Sequence, residues 1–322
     1  MTKPAHLAHA PEWASIIQRT YGHTPLYLHA VDTDGQPGLL PAFVVRRPLA
    51  GTIVTSMPFL DGGGPSASPA LAAGLVERLL AEARRVGATA VEIRSSVRLG
   101  IRWAPAEHKV NLILALPGAP AGLWNGFDKG VRNQVRKAER SGLSIVTGGL
   151  DRLDAFYGVF VGRMRELGSP VHARAFFVSI LEAFGERARV VLVQKGSTTV
   201  GGLMALMVRD AVVVPWAACA TEHRALCPNM LLYWETIRTA CADGFHEFDF
   251  GRSTRDSGTY KFKRQWGADE HPLFWYTIPL RDGRRVAAEP SATVTRLSGV
   301  WRRLPLAWTR RLGPRVRKYL VQ

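Results

Sequence analysis

The chain has 322 residues, of which 47% are hydrophobic, so its length suits two domains of about 150 residues, each with its own core. Lys and Arg number 42 and Asp and Glu number 26, which gives a net charge of +16. A surface this basic should attract anions such as tRNA, phospholipid headgroups or nucleotide-linked sugars, and charge alone does not choose among them.

The three cysteines are Cys219, Cys227 and Cys241, and they form no C-x-x-C pair. Residues 1–10 lack the apolar core of a signal peptide, so we expect reduced thiols in a cytoplasmic protein. The motifs G-x-S-x-G, P-loop, G-x-G-x-x-G and H-E-x-x-H are missing from the sequence. Hydrolase triads, kinases, dinucleotide-binding enzymes and metal sites are therefore unsupported.

The first hundred residues predict alternating helices and strands. Pro48 separates two β-rich runs, and Gly87 closes an amphipathic helix. The predicted elements are a helix at residues 13–21, strands at 39–47 and 51–57, a helix at 71–86 and a strand that begins at Val91.

The second half repeats this plan. Arg209 and Asp210 interrupt the apolar region 200–220, which therefore predicts two strands and a turn instead of a membrane span. A shift of 157 residues places Gly87 on Gly244, which indicates an internal duplication. The predicted elements are strands at residues 200–208 and 211–217, a helix at 229–243 and a strand at 246–250.

A basic helix is predicted between the two halves, at residues 127–142. Its apolar face holds Val131, Val135 and Ala138, and Gly142 ends it. Cations cover the rest of its surface: Lys129, Arg132, Arg136, Lys137 and Arg140. Either this helix binds phosphate through Arg132 and Lys137, or it is a solvent-exposed helix that connects the two halves.

Residues 246–267 combine a strand, a polar turn and a cationic aromatic run. Phe248 and Phe250 alternate with acidic residues, and Gly251 ends the strand. Arg252 and Ser253 therefore lie at the carboxyl end of a strand, where open α/β sheets place their ligands.

The aromatic run after this turn has apolar anchors at Tyr260, Phe262 and Trp266. Its cations are Lys261, Lys263 and Arg264, which would serve an anionic ligand or a developing oxyanion. The alternative is an edge strand whose lysines are only solvated.

Three segments resemble the C-terminal signature of FemAB-like proteins: FDFGRS at residues 248–253, GTYKFK at 258–263 and QWG at 265–267. The similarity is greatest to the branch found with exosortase sorting systems. RNQVRKAE at residues 132–139 also resembles the FemAB segment that enters the second domain. The resemblance covers residues 120–280 well and the first 100 weakly.

This resemblance implies an α/β (α+β) fold of two tandem GNAT-like domains with mixed sheets. The implied parts are a first domain at residues 1–120, a connecting helix at 121–145, a second domain at 146–282 and a basic Trp/Arg-rich extension at 283–322. Studied FemAB proteins form amide bonds by moving an amino acid from aminoacyl-tRNA onto a peptidoglycan precursor.

The turn at residues 224–229 corresponds to the loop with which acetyl-CoA-type acyltransferases bind pyrophosphate. Such loops read Q/R-x-x-G-x-G/A, whereas both glycines are replaced here and Pro228 removes an N–H donor. Ordinary CoA binding is therefore in doubt, and the resemblance offers aminoacyl-tRNA as the donor. Asn229 is expected either to cap the helix that follows this turn or to contact substrate. Trp216 is expected either to lie in the core or to stack on substrate.

Amide formation requires the acceptor amine to lose a proton and the oxyanion to be stabilised. Asp249 is a candidate base, although a solvated carboxylate is equally consistent with the strand pattern. By the resemblance, Lys263 is the first choice for binding acceptor phosphate or stabilising charge. We expect it to face a cleft with Arg252 and Tyr260, and further substrate contacts at Ser253 and Lys261.

The C-terminal stretch from Pro290 to Gln322 has eight basic and no acidic side chains, interleaved with Trp and Leu. This composition suits a membrane interface or RNA, and packing against the body is the alternative. A membrane role would make the protein peripheral at the inner membrane.

The sequence therefore predicts acyl or aminoacyl transfer to an amine of a cell-envelope or exopolysaccharide precursor, with no tightly bound cofactor. The expected partners are a small-molecule or lipid-linked precursor and tRNA. One alternative is an acyl-CoA-dependent N-acyltransferase. The other is a non-catalytic membrane-surface assembly factor for polysaccharide export.

Overall fold

The computed structural model describes residues 7–48, 50–280 and 292–321. Its Cα positions divide into two compact units. Unit 1 comprises Met1–Val110, His271–Val294 and Val316–Gln322, and unit 2 comprises Asn111–Glu270 and Thr295–Arg315. The predicted domain borders near residues 120, 145 and 282 stay predictions, and residues 283–291 of the predicted extension lie outside the described residues.

The helices and strands alternate along much of the chain. In chain order they are α1 (Glu12–Tyr21), β1 (Thr24–Val31), β2 (Pro37–Arg47), β3 (Gly51–Ser56), α2 (Pro69–Arg85), β4 (Ala90–Ser95), β5 (Ala106–Ala115), α3 (Pro120–Gly126), α4 (Lys129–Arg140), β6 (Leu143–Gly148), α5 (Leu150–Glu166), α6 (Arg174–Phe184), β7 (Ala188–Lys195), β8 (Thr198–Val208), β9 (Ala211–Cys219), α7 (Pro228–Ala242), β10 (Glu247–Thr254), α8 (Gly258–Arg264), β11 (Asp269–Pro279), α9 (Ala292–Arg303) and α10 (Leu306–Arg317). Among the described residues, no helix has both the length and the apolar character needed to cross a bilayer.

Unit 1 is built on a mixed sheet with the strand order β1-β2-β3-β4-β11. Strands β3 and β4 are parallel, and the other neighbours are antiparallel. Helix α2 buries Leu75 and Leu79 against Val54, Val91 and neighbouring strand residues. The apolar period of this helix therefore provides the core of the unit.

Unit 2 has the strand order β5-β10-β9-β8-β7-β6, in which β9 and β10 are parallel and β6 to β9 are antiparallel. The aromatic rings of α6 pack on Trp216 of β9, whereas Tyr233 of α7 stacks on Phe250 of β10. Both units thus contain two antiparallel strands, a helix and a strand parallel to the second, the plan that the 157-residue shift predicts.

Helix α4 confirms the predicted basic helix, because Val131, Val135 and Ala138 are its buried residues. The edge-strand alternative for residues 260–264 is wrong, since these residues lie in α8. Ser257 explains the difference: its Oγ accepts a hydrogen bond from the Tyr260 N–H and so caps the helix.

The first turn of α7 also differs from its prediction. The helix begins at Pro228, and Cys227, in the left-handed conformation (φ 57°), occupies the N-cap position. Asn229 is exposed in the first turn and is not the N-cap residue. Proline is well suited to the first helical position because the N–H it lacks would have no helical acceptor there.

Gly201 of β8 permits a close approach in the core of unit 2. A Cβ atom at this residue would lie 2.2 Å from Cys219 Sγ and 2.9 Å from Val193 Cγ1. We expect Gly201→Ala to lower the free energy of unfolding by about 1–3 kcal/mol, because β8 must shift to relieve the overlap. Urea unfolding followed by circular dichroism measures this change.

The matched control is Gly158→Ala in the same unit, on the exposed side of α5, where a Cβ atom has no neighbour within 4 Å. This variant should gain about 0.5–1 kcal/mol from helix propensity. Effects of the same sign in the two variants would contradict the packing that we describe at Gly201.

Candidate functional site

A β-bulge lies in β9 next to the point where its parallel pairing with β10 ends. Their pairing ends at Val213 and Asp249, although β9 continues to Cys219 and β10 to Thr254. In the β8–β9 pairing, Met204 is opposite Trp216 and Leu206 is opposite Val213. Two steps along β8 thus correspond to three along β9, so β9 carries one extra residue. A bulge bends its strand, and we call the place where the β9–β10 pairing stops the β9–β10 opening.

Gly251 lies on β10 beside this bulge. Its φ is +73°, and a Cβ atom there would lie 3.2 Å from the carbonyl oxygen of Val214. An L side chain would face both an unfavourable backbone conformation and a tight contact. Glycine therefore permits β10 to turn where the pairing stops.

Asp249 stands at the start of the β9–β10 opening and is buried, at 8% exposed. One carboxylate oxygen accepts a 2.8 Å hydrogen bond from Asn111 Nδ2, and the other accepts a 2.7 Å bond from the Gly251 N–H. The solvated carboxylate that the sequence left open is therefore wrong. Its assignment as a general base stays a prediction, whereas these bonds show a carboxylate that fixes the turn at Gly251.

Lys263 of α8 is also buried, at 8% exposed. Its Nζ donates 2.8 Å hydrogen bonds to the carbonyl oxygens of Gly251 and Arg252. The expectation that this ammonium faces a cleft is corrected by these contacts, because it is directed at the backbone of β10. The lysine thus provides donors to carbonyl groups just beyond the last β9 pair.

Ser253 lies four residues beyond that last pair and is only 4% exposed. Among the described residues its Oγ has no hydrogen-bond partner. A buried hydroxyl without a partner loses its hydration and gains nothing in exchange, so such groups often belong to ligand sites. Ser253 therefore has hydrogen-bonding capacity that the described residues do not use.

The turn before α7 is tied to α5 by a small polar cluster. Glu166 accepts hydrogen bonds from Arg163 (2.8 Å) and from Thr221 Oγ1 (2.6 Å). The Thr221 hydroxyl belongs to the 3-10 helix Thr221–Leu226, which leads into α7. These bonds fix the approach to the helix N-terminus.

The α7 N-terminus itself offers few backbone donors. The Cys227 N–H bonds to Arg224, the Met230 N–H bonds to Cys227, and Pro228 has no N–H. Within residues 227–230 of the described chain, this leaves the Asn229 N–H without a protein acceptor. A pyrophosphate needs several converging donors, so this turn is a poor cradle for it.

Tyr260 has a hydrogen-bond partner of its own, and Lys261 is exposed. The Tyr260 hydroxyl donates a 2.8 Å hydrogen bond to Glu270, which also accepts from Arg255 at 2.7 Å. The bond to Glu270 raises the pKa of Tyr260, so the phenol stays protonated. Lys261 is exposed on α8, and Arg252 is half-buried on β10.

The remaining predicted contacts are spread over unit 2. Trp216 is 7% exposed, with its ring 5.5 Å from Phe176 and 5.4 Å from Phe177, which is a core environment. Arg132 and Lys137 lie on α4, where Arg132 is half-buried and Lys137 is exposed. The structure therefore brings Asp249 and Lys263 together at the backbone of Gly251 and Arg252, directly before Ser253 in the chain.

The thiols differ in their surroundings. Burial raises the pKa of Cys219 to about 12 and also raises the pKa of Cys241. Cys227 is half-buried and caps α7. In the described residues, no group of three His, Cys, Asp or Glu side chains could hold a metal ion.

A cavity of about 250 Å³ lies between the sheet of unit 2 and the C-terminal half of α7. Val212, Thr236 and Phe245 contribute to its wall, and its charged rim includes the Arg189–Asp243 ion pair at 3.2 Å. No predicted site residue lines it. The α7 residues that line it run from Glu235 to Ala240, whereas Pro228 is at the other end of that helix.

Sequence reasoning missed Asn111, Glu166 and Glu270. A polar residue among Val110, Leu112 and Leu114 of β5 was a signal for Asn111. Nothing in the sequence pattern singles out Glu166 or Glu270.

Comparison with known proteins agrees with this geometry. Residues 126–264 match the family model described as an acetyltransferase (GNAT) domain, which supports a transferase. This segment contains all of β9, α7, β10 and α8, so it includes the β9–β10 opening. Comparison with curated proteins gives no match.

Solved structures share the fold at low identity. FemX has a TM-score of 0.66 at 16% identity, with 84% of this chain and 92% of FemX covered. L-PGS from Bacillus licheniformis has a TM-score of 0.54 at 12% identity, with 91% and 98% covered. A conserved protein of unknown function from Bacteroides thetaiotaomicron has a TM-score of 0.56 at 11% identity, with 82% and 88% covered. The predicted fold class, α/β with GNAT-like domains and mixed sheets, is confirmed.

Lys263→Met tests the backbone contacts of this side chain. The change keeps the aliphatic length but removes the donor for two carbonyl groups, so we expect the free energy of unfolding to fall by about 1–3 kcal/mol. Lys261→Met is the matched control two residues earlier in the same helix, and its exposed side chain should change stability by less than about 0.5 kcal/mol. Equal urea midpoints for the two variants would show that the Lys263 contacts add no stability.

Proposed function

We propose that this protein transfers an acyl or aminoacyl group to an amine of a cell-envelope or exopolysaccharide precursor. The observation that carries the proposal is the β9–β10 opening, which lies within the segment that matches an acetyltransferase (GNAT) domain. Where parallel strands stop pairing, backbone donors and acceptors lose their partners in the sheet. Such groups can bind an extended donor and orient its carbonyl carbon.

The reaction forms one bond and breaks another. The amine nitrogen attacks the carbonyl carbon of an ester or thioester, and the tetrahedral intermediate expels the alcohol or thiol while the new C–N bond remains. The attacking nitrogen loses a proton, which the leaving oxygen or sulfur takes up directly or through solvent. The oxyanion of this intermediate is the charge that the protein must stabilise.

We assign Ser253 to this opening as a donor to the substrate, because its buried Oγ lacks a protein partner among the described residues. Asp249 and Lys263 act as positioning residues in this scheme. They hold the N–H of Gly251 and the carbonyl groups of Gly251 and Arg252. The backbone of β10 is then fixed before substrate binds.

An aminoacyl ester is favoured over acyl-CoA as the donor. The turn into α7 has one uncommitted N–H among residues 227–230, whereas a CoA pyrophosphate calls for several. The charge of +16 favours a polyanion such as tRNA. The resemblance of residues 248–267 to FemAB proteins of the exosortase branch supports an exopolysaccharide precursor as the acceptor.

The acyl-CoA-dependent alternative retains support from the family model that matches residues 126–264. The identity of the acyl donor is tested by incubating the purified protein with a pool of radiolabelled aminoacyl-tRNA or with radiolabelled acetyl-CoA. Each donor is combined with the same panel of amines. We expect label in amide products from aminoacyl-tRNA and weak acetyl-CoA binding by calorimetry. Low-micromolar acetyl-CoA affinity together with amine acetylation would overturn the tRNA proposal, and inactivity with both donors would favour the assembly-factor alternative.

Ser253→Ala separates a substrate contact from a structural role. Because the hydroxyl has no partner in the described chain, its removal should leave stability unchanged or slightly raised. Turnover should fall by about 10²-fold if the hydroxyl stabilises the oxyanion. Transfer rates and melting temperatures are measured beside those of Ser144→Ala, an exposed serine of β6. Unchanged turnover at unchanged stability would remove Ser253 from the site.

A further inference from the structure

Helices α9 and α10 each contact unit 2 through one side. A Cβ atom at Gly168 would lie 2.6 Å from the Ser298 carbonyl oxygen, so α9 lies directly on that glycine. Gly313 of α10 approaches Val171 in the same way, at 2.8 Å, and Thr309 is 2% exposed. Both helices therefore rest on the short segment 168–171, and their opposite sides face away from it.

The sides that face away carry large apolar groups. Leu297 and Val300 of α9 are 62% and 58% exposed, and Trp308 of α10 is 60% exposed. Leu297 and Val300 are three residues apart, so they share one helical face. Four of the ten exposed large hydrophobic side chains of the described residues lie within residues 297–308 of unit 2, which is a local concentration instead of scattered exposure.

Cations flank the apolar groups. Arg311 and Arg315 follow Trp308 by three and seven residues and therefore lie on its face of α10, and both are exposed. Arg303 is exposed on α9, three residues after Val300. The sequence from Pro290 to Gln322 has no acidic residue that could neutralise them.

We propose that the outward faces of α9 and α10 bind the surface of a membrane that contains anionic phospholipid. Tryptophan and aliphatic side chains enter the headgroup region, and the arginines contact lipid phosphates. This inference is independent of the transfer reaction. It concerns a surface, formed by residues 297–315, that the β9–β10 opening does not include.

Other occupants fit this surface less well. RNA would use the arginines and stack bases on Trp308, but it gains nothing from exposed Leu297 and Val300, because aliphatic groups have no flat face for a base. A second copy of the chain would bring two faces of the same positive charge together, which is unfavourable. A lipid surface satisfies the aliphatic, aromatic and cationic groups at once.

The full-length protein is tested by sedimentation with vesicles of phosphatidylcholine alone and of phosphatidylcholine mixed with phosphatidylglycerol. We expect binding to the mixed vesicles, weakening with salt, and little binding to phosphatidylcholine. Arg311→Gln combined with Arg315→Gln should reduce the binding constant by about ten- to thirtyfold. Leu297→Gln combined with Trp308→Gln should reduce it by at least about tenfold.

Two control variants match these changes elsewhere on the surface. Leu150→Gln alters another exposed aliphatic residue (49% exposed), and Arg140→Gln alters another exposed cation, on α4. Both should bind vesicles as the parent protein does, and melting temperatures confirm that each variant is folded. If the apolar pair fails to fold, the arginine pair decides the result.

The proposal is overturned if the mixed vesicles do not bind, or if the control variants lose as much binding as the α9–α10 variants. It is also overturned if a single-stranded RNA binds more tightly than the vesicles and the arginine pair weakens only RNA binding. Loss of vesicle binding with retained transfer activity in solution would support the membrane surface and leave the transfer reaction unaffected. Loss of transfer in Ser253→Ala with intact vesicle binding would separate the two proposals in the other direction.

Discussion

The site depends on one break in backbone pairing. β9 carries an extra residue after Val213, and its parallel pairing with β10 ends at that point, although Val214 still lies against Gly251. Buried backbone groups that lose a partner must find another, since an unsatisfied group costs about 1–3 kcal/mol. The side chains around Gly251 supply those partners, and this is why a lysine and an aspartate are buried there.

This arrangement gives the opening a fixed backbone and an unused hydroxyl. Asp249 accepts the Gly251 N–H and Lys263 donates to two carbonyl groups, so both charged groups act on the protein itself. Ser253 is the exception among the buried polar groups of β10. A transferase needs such a division, in which some polar groups set the geometry and others remain available for the substrate.

Sequence patterns predicted the elements well where one helical or strand period dominated. The helical spacing of Val131, Val135 and Ala138 predicted α4, and the 157-residue repeat predicted α7 and β10. The pattern failed at α8, because the Lys-Phe alternation at residues 261–263 has a strand period while Ser257 starts a helix. The surroundings of Asp249 and Lys263 were beyond sequence reasoning, since Asn111 is 138 residues from Asp249 and the two carbonyl groups that Lys263 contacts belong to another element, β10.

Two strands that pair in unit 1 are far apart in the order of synthesis. Strand β4 ends at Ser95, but its neighbour β11, which pairs with it through Phe274 to Pro279, is made after all of β5 to β10. At about 5–20 residues per second, the ribosome produces β11 roughly 10–40 s after β4. During that interval one edge of β4 is open to other chains, so unit 1 is a nascent sheet that requires shielding until the segment that begins at His271 emerges.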